Sequence, residues 1–160
     1  MKRRILRVTM WLGVTGMAVL IFLMSAQTGE ASTASSDAIV LPLLRLIRRM
    51  RGLSVDEADA MYWTLQLIVR KAAHMGEYAL LALMIRLLAA SYGSRRPGVL
   101  GWTLAALYAV TDELHQSLVS ARSAQFTDVV VDASGALLGV AAAWLAGRLR
   151  AAFHHSKEEP

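Results

Sequence analysis

Cysteine is absent from the sequence, and this absence excludes disulfide bonds and thiolate metal ligands together. No glycine-rich phosphate loop, nucleotide fingerprint or nucleophile motif occurs, so the sequence does not support the common nucleotide-dependent or covalent enzyme classes. Charged residues are scarce, at 18% of the 160 residues, and several long stretches contain almost none. The hydrophobic share is correspondingly high at 56%, whereas soluble domains typically hold ~45–50% apolar residues.

Four apolar stretches account for this excess, and each is long enough to cross a membrane. A helix needs ~20 apolar residues, with a range of ~17–25, to span a ~30 Å hydrocarbon core. A chain of 160 residues has too little interior to bury four such helices. The sequence therefore predicts an all-α fold, a polytopic membrane four-helix bundle. The predicted spans are about residues 8–25, 72–90, 99–118 and 129–147.

Basic residues predict the orientation of these spans. Met1–Arg7 carries four cations before the first span, Arg95 and Arg96 lie between the second and third, and Arg148–Arg150 follows the fourth. Because cytoplasmic segments are enriched in Lys and Arg, both termini are expected in the cytoplasm. The first span is too long for the core of a removable signal peptide, and Met24–Ala26 is a poor cleavage site.

The net charge of +5 would indicate nucleic acid binding in a soluble protein, but here the cations flank apolar spans. Contact with the lipid bilayer and its anionic lipids explains them, and no nucleic acid partner is expected. Residues 1–150 then form one transmembrane domain with a long outer loop at 26–70. Residues 151–160 form a polar cytoplasmic tail.

The outer loop is predicted to contain amphipathic helices. Ser25–Ser36 is small and polar and is interpreted as irregular. Asp37–Arg51 has the pattern of a basic amphipathic helix, which either lies on the outer leaflet or packs on the bundle with a solvated charged face. Ser54–Glu57 has the pattern of a capping box. The helix that it starts either continues into the second span or breaks near Arg70.

Polar side chains concentrate near the outer ends of all four predicted spans, while the cytoplasmic halves are almost bare. At 1.5 Å rise per residue they lie within ~10 Å of the outer interface. A charged side chain at a bilayer centre costs ~2.5–3.5 kcal/mol, so such residues mark a functional site by default. The candidate site residues are Ser25, Gln27, Arg70, Lys71, His74, Glu77, Tyr78, Asp112, His115, Gln116, Arg122, Asp128 and Asp132.

Two glycines in the fourth span predict how the helices approach one another. Gly135 and Gly139 continue the side of the helix that carries Asp128 and Asp132. A Gly-x-x-x-Gly pair allows another helix backbone to come close. The acidic side of this span is therefore expected to face inward, toward the polar residues of the other spans.

One interpretation of the polar cluster is a metal site. His74-x-x-Glu77 and Asp112-x-x-His115 are carboxylate–histidine pairs at i,i+3, the spacing used by metal sites in bundle cores. Two imidazoles with carboxylates suit Zn²⁺ or another divalent ion, which can activate water. The four residues would then be the catalytic residues of a metal-dependent membrane hydrolase. A divalent metal is accordingly the one cofactor that the sequence indicates.

Three other interpretations remain open. The cluster is a structural network, whose interhelical hydrogen bonds average ~0.6 kcal/mol and hold the helices in register. Alternatively, it binds an anionic headgroup or glycan phosphate through Arg70, Lys71 and Arg122, with His74 and Glu77 as general acid and base. The third alternative is a scaffold or homo-oligomer that uses the amphipathic loop helix and the two glycines as contact surfaces.

Three blocks of residues, in this order along the chain, carry a resemblance to a known family. The blocks are Ser25-Ala26-Gln27, Arg70-Lys71-x-x-His74-x-x-Glu77-Tyr78, and Tyr108-x-x-x-Asp112-Glu113-x-His115-Gln116 followed by Arg122, Asp128 and Gly135. Over roughly Phe22 to Val140 the chain is similar to the VanZ-like family of bacterial membrane proteins. The turn before Arg122 departs from that pattern, because the family often has proline and glycine there.

The resemblance implies a multi-pass protein of the bacterial plasma membrane and cell envelope. The founding member of the family is linked to low-level resistance to the glycopeptide teicoplanin, so the implied context is antibiotic resistance rather than a named reaction. We therefore expect a cell-surface protein that acts on or around lipid-linked or anionic envelope components. Its expected effect is to lower the access or binding of a glycopeptide.

Overall fold

The computed structural model describes residues 1–119 and 125–155, and these residues fold into five α-helices without a strand. The prediction of an all-α fold is therefore confirmed. The helices are α1 (Lys2–Ser25), α2 (Gly29–Arg51), α3 (Val55–Ser91), α4 (Pro97–Gln116) and α5 (Phe126–His155).

The longest helix, α3, is the centre of the fold and packs against each of the other four. Its capping box is confirmed: the Ser54 amide donates to Glu57 Oε2 at 2.8 Å, and the Glu57 amide donates to Ser54 Oγ at 3.3 Å. The helix then continues through Arg70 without a break, which answers the question that the sequence left open. Its 37 residues extend about 55 Å at 1.5 Å per residue, far beyond a ~30 Å hydrocarbon core.

Hydrogen bonds at the two ends of α1 establish which helix ends lie together. Arg7 Nη2 donates to the Ser91 carbonyl at 2.7 Å, so the start of α1 lies beside the end of α3. At the other end of α1, Ser25 Oγ donates to Asp112 Oδ2 at 2.7 Å. We call the end of the bundle that contains Ser25, Asp112 and the start of α5 the acidic end, and the end that contains Arg7 the basic end.

Glycines bring α5 into backbone contact with α3. A Cβ atom at Gly135 would collide with the Met75 carbonyl oxygen, and one at Gly139 would collide with the Ala79 carbonyl oxygen. The close approach predicted for this glycine pair is therefore confirmed. Such small-residue contacts let two helices pack at van der Waals distance where no side chain separates them. This glycine seam sets the register in which the polar residues of α3 and α5 meet.

Among the described residues, three helices are long and apolar enough to cross a membrane by length and composition: α1, α3 and α5. Large apolar side chains on their outer faces stay about half exposed, as expected for contact with lipid tails. They include Leu12, Leu20, Leu80, Leu137, Leu138 and Trp144. The predicted third span coincides with α4, whose last turns carry Asp112 and Glu113 and lower its hydropathy. Four spans and cytoplasmic termini stay predictions.

The irregular segment predicted over Ser25–Ser36 is wrong from Gly29 onward, where α2 begins. The hydroxyls of this segment support the helix instead of breaking it. Thr28 Oγ1 accepts from the Ala31 amide at 3.3 Å and caps the helix, and Ser36 Oγ donates to the Ser32 carbonyl at 2.8 Å. Serine and threonine can satisfy their hydroxyls in this way inside a helix.

Helix α2 packs on the first half of α3, and its predicted position on the outer leaflet stays a prediction. Tyr62 Oη and Gln66 Nε2 donate to Asp37 Oδ1 at 2.9 and 2.7 Å, and Val40 is fully buried. Helix α2 and residues 55–70 of α3 together form a projecting hairpin. Its α3 half continues past the start of α5, because Lys71 lies beside Asp128.

Candidate functional site

A histidine and two aspartates that are distant in sequence meet at the acidic end. His74 on α3, Asp112 on α4 and Asp132 on α5 each present one nitrogen or oxygen atom, and these atoms lie within 4.8 Å of one another. Asp112 and Asp132 are only 3% and 4% exposed. The group therefore points into the protein and away from lipid, and three different helices must pack correctly to form it.

Asp112 is held by side chains from α1 and from its own helix. Its Oδ2 accepts from Ser25 Oγ at 2.7 Å and from Gln116 Nε2 at 3.1 Å, and Gln116 Nε2 also lies 3.1 Å from Ser25 Oγ. Within the described part of the chain, Asp112 Oδ1 and the Tyr78 hydroxyl make no hydrogen bond of standard geometry although both are buried and the two side chains are neighbours. A buried polar atom without a well-formed hydrogen bond costs about 1–3 kcal/mol, so this arrangement is costly to keep in a helix core.

A second aspartate of α5 faces α3 one turn earlier. Asp128 Oδ1 lies 2.5 Å from Lys71 Nζ, and both side chains are about one-third exposed. Asp128 is in the first turn of α5, where the helix dipole favours a negative charge. The Lys71–Asp128 ion pair therefore closes the outer edge of the site, while Asp132 lies one turn deeper on the same side of α5.

Glu113 belongs to the site but was not among the residues selected from the sequence. It is 6% exposed, and its Oε1 accepts from the Gln125 amide at 2.6 Å. Asp112 and Gln116 share one side of α4, whereas Glu113 lies about 100° around the helix from Asp112. The sequence did contain a signal for Glu113. Two adjacent carboxylates cannot lie on one face of a helix, so two faces of α4 must carry a buried or solvated charge.

A pocket of about 170 Å³ opens between α3, α4 and α5 beside the three-residue group. Cations lie at its outer edge, carboxylates and amides line its depth, and two apolar side chains flank it. The lining residues are Leu67, Arg70, Lys71, His74, Glu113, Gln116, Gln125, Asp128, Val131 and Asp132. A second pocket of about 140 Å³ between α1, α2 and α3 also reaches His74, and Gln27 and Glu77 line it.

Two of the four residues predicted to bind metal lie outside the three-residue group. Glu77 Oε2 is 3.9 Å from His74 Nδ1 and lines the second pocket. His115 faces α1, where its ring stacks on Phe22 with the centroids 4.5 Å apart. Arg122, predicted to bind an anion, falls outside the residues that the structure describes.

The comparison with protein families finds a match for most of the chain. The family model described as VanZ/LLP1 matches residues 10–147 of the 160. The chain belongs to the VanZ/LLP1 family. The matched region of this VanZ/LLP1 protein includes every residue of the acidic-end site from Ser25 to Asp132. Neither the curated proteins nor the solved structures contain a match to the chain.

The charges of this VanZ/LLP1 site are unevenly distributed with depth. Carboxylates dominate the interior, whereas Arg70 and Lys71 lie one helical turn outward from His74. A phosphate at the opening would meet the cations first. A cation deeper in the site would meet carboxylate oxygens and an imidazole, which are common metal ligands.

Proposed function

We propose that this membrane protein of the VanZ/LLP1 family binds the phosphate-bearing headgroup of an envelope lipid at its acidic end. We further propose that it acts in the bacterial plasma membrane, where this binding lowers glycopeptide (teicoplanin) susceptibility. The observation that carries the proposal is the pocket between α3, α4 and α5, with Arg70 and Lys71 at its outer edge.

The lining of the pocket suits an amphipathic anionic ligand. Arg and Lys bind phosphate oxygens through charge-assisted hydrogen bonds. Leu67 and Val131 flank the same opening and offer an apolar path for the start of a lipid chain. A ligand with a charged head and a hydrocarbon tail satisfies both features at the edge of a bilayer.

The size of the pocket favours a headgroup over the drug itself. Drug-sized ligands occupy pockets of ~300–1,000 Å³, and this pocket measures about 170 Å³. A glycopeptide antibiotic is larger still. The proposed effect on susceptibility is therefore indirect. It acts through an envelope lipid that the protein holds or presents at the outer face of the plasma membrane.

Binding is tested with purified protein in nanodiscs of phosphatidylcholine, with and without a polyprenyl phosphate. We expect saturable binding of the phosphate lipid that weakens at least tenfold in Arg70→Gln/Lys71→Gln. Arg96→Gln at the basic end is the matched control and should bind as the wild type does. Equal affinity in the double variant and the wild type would refute headgroup binding at this pocket.

Teicoplanin susceptibility is measured in a sensitive bacterial host at matched expression of the same variants. The wild type and Arg96→Gln should raise the inhibitory concentration, and Arg70→Gln/Lys71→Gln should not. If the wild type binds the lipid but does not change susceptibility, the binding site is supported and its proposed role in resistance is refuted.

Hydrolysis of a phosphate ester in the same pocket is the second candidate function. The observation that favours it is His74, which lines this pocket and has Glu77 Oε2 3.9 Å from its Nδ1 on the side of the second pocket, because an imidazole beside a carboxylate can act as a general base. Release of inorganic phosphate from the polyprenyl phosphate, lost in His74→Gln, is the expected result. Binding without release in the wild type rejects hydrolysis.

A further inference from the structure

The geometry points to a mononuclear divalent-cation site formed by His74, Asp112 and Asp132, with Zn²⁺ or Mn²⁺ as the ion. This site differs from the set predicted from the sequence, because Asp132 replaces Glu77 and His115. It does not depend on the proposed lipid function, since the ion alone is the probe.

The three candidate ligand atoms are close together. They lie within 4.8 Å of one another. Nitrogen and oxygen ligands at ~2.0–2.2 Å from one ion in a tetrahedral arrangement lie about 3.3–3.6 Å apart. The atoms would therefore have to approach one another by up to about 1.5 Å to share one coordination sphere, which is within the range of side-chain rotation.

Asp112 provides the second, independent observation. It is 3% exposed, and its Oδ2 already accepts two hydrogen bonds, from Ser25 and Gln116. Its Oδ1 makes no hydrogen bond of standard geometry with the residues that the structure describes, and the Tyr78 hydroxyl beside it is likewise without one. A buried carboxylate oxygen is costly to maintain in this state, and a bound cation would satisfy its open lone pairs.

The surrounding charges call for a cation. Five carboxylates lie in or beside the site: Glu77, Asp112, Glu113, Asp128 and Asp132. Lys71 is engaged by Asp128 at the outer edge, and Arg70 is exposed. Buried carboxylates are stable when they are paired or when they coordinate a metal. A divalent ion between Asp112 and Asp132 would neutralise the two most deeply buried of these charges.

Neighbouring side chains are placed as outer partners of metal ligands usually are. Metal-binding carboxylates are commonly held by hydrogen bonds, and metal-binding histidines point their second nitrogen toward a carboxylate. Ser25 and Gln116 hold Asp112, and Glu77 lies on the Nδ1 side of His74. His74 would then present Nε2 to the ion, with Glu77 as a positioning residue.

The donor set and the pocket indicate which ion binds and where its open positions face. One imidazole with two carboxylates suits Zn²⁺ or Mn²⁺ better than Mg²⁺ or Ca²⁺, which prefer ligand sets of oxygen atoms alone. His74 and Asp132 both line the 170 Å³ pocket, so a bound ion has open coordination positions on that side. A phosphate oxygen of the lipid proposed above would fit such a position, and this last step alone depends on the proposed function.

The experiment uses the full chain, purified without an affinity tag and treated with chelator. Residues His154 and His155 are replaced by glutamine in every sample, so that the histidines of the tail cannot bind metal. Equilibrium dialysis against ZnCl₂ or MnCl₂, followed by elemental analysis, should give one ion per chain. Thermal unfolding should show stabilisation that EDTA reverses, because an ion that binds only the folded state stabilises it.

Three variants locate the ion and one provides the control. His74→Gln and Asp132→Asn should weaken binding about 100-fold, and Ser25→Ala about tenfold, as for an outer-shell partner. Asp59→Asn, an exposed aspartate of α3, should bind as tightly as the wild type. Circular dichroism and gel filtration identify variants that are folded.

Several results would overturn the cation site. The first is a stoichiometry well below one in the wild type, which needs no variant and so stands even if the variants do not fold. The second is equal affinity in the wild type and a folded Asp132→Asn or His74→Gln protein. The third is loss of binding in a folded His115→Gln protein, which would place the ion against α1. The two proposals can fail separately. If the protein binds no ion but still binds the phosphate lipid, the cation site is refuted and the proposed function is not.

Discussion

The acidic end and the basic end of the bundle both carry charged residues near the ends of apolar helices, but these residues differ in burial. At the basic end Arg95 and Arg96 are exposed, and Arg7 reaches the Ser91 carbonyl and the Tyr92 ring from a half-buried position. At the acidic end Asp112 and Asp132 are buried where three helices converge. Exposed cations can orient helices in a bilayer, whereas buried carboxylates require partners and therefore indicate a site.

The largest expected effect comes from separating the helices that form the acidic end. Gly139→Val places side-chain atoms against the Ala79 backbone, and overpacking of this kind costs about 3 kcal/mol at its upper end. We expect the variant to lose that much free energy of unfolding in detergent, together with its lipid and ion binding.

Gly147→Val is the control for this prediction, because the space around Gly147 is open. Its free energy of unfolding should stay within about 0.5 kcal/mol of the wild type, since glycine and valine differ little in helix propensity. Equal stability of the two variants would mean that the glycine seam does not hold the acidic end together.

A smaller effect is expected from one hydroxyl at the acidic end. Ser25→Ala removes a hydrogen bond to the buried Asp112 carboxylate, and hydrogen bonds to charged groups contribute about 1.5–3 kcal/mol. Thr9→Ala on the same helix removes an exposed hydroxyl that bonds only its own helix, so it should change stability by less than about 0.5 kcal/mol. Chemical unfolding of the two variants measures the difference, and a similar small loss in both would show that Asp112 does not depend on Ser25.

The smallest effect concerns the ion pair at the outer edge of the site. A double-mutant cycle of Lys71→Gln and Asp128→Asn should give a coupling energy below about 1 kcal/mol, because both side chains are partly exposed. The coupling should fall further as NaCl is raised, since salt screens such pairs. A coupling of several kcal/mol that is insensitive to salt would show that this edge is as dry as the interior.

Apolar segment length and local spacing carried most of the fold prediction. Segment lengths led to the all-α class, Ser54–Glu57 to a capping box, and Gly135 with Gly139 to a close helix contact. Each of these signals is local, because it depends on residues within one helix. Placing His74, Asp112 and Asp132 in one group needed the outer ends of three helices to be aligned, and the structure brings the three together.

One prediction failed on hydrogen bonds within a helix, and two failed on contacts between helices. Gly29–Ser36 looked irregular because its residues are small and polar, yet Thr28 and the serines satisfy their own hydrogen bonds in α2. Glu113 was left out because the face of α4 that turns toward α5 cannot be inferred from α4 alone. His115 was grouped with Asp112 by spacing, but its ring stacks on Phe22 of α1.

The uninterrupted length of α3 has a mechanical consequence. The helix is unbroken from Val55 to Ser91, and its start lies about 28 Å from His74 along the axis. The hairpin and the site therefore share one continuous element, which the glycine seam fixes to α5 just beyond His74. A partner that displaced the hairpin would act on the same helix that supplies His74.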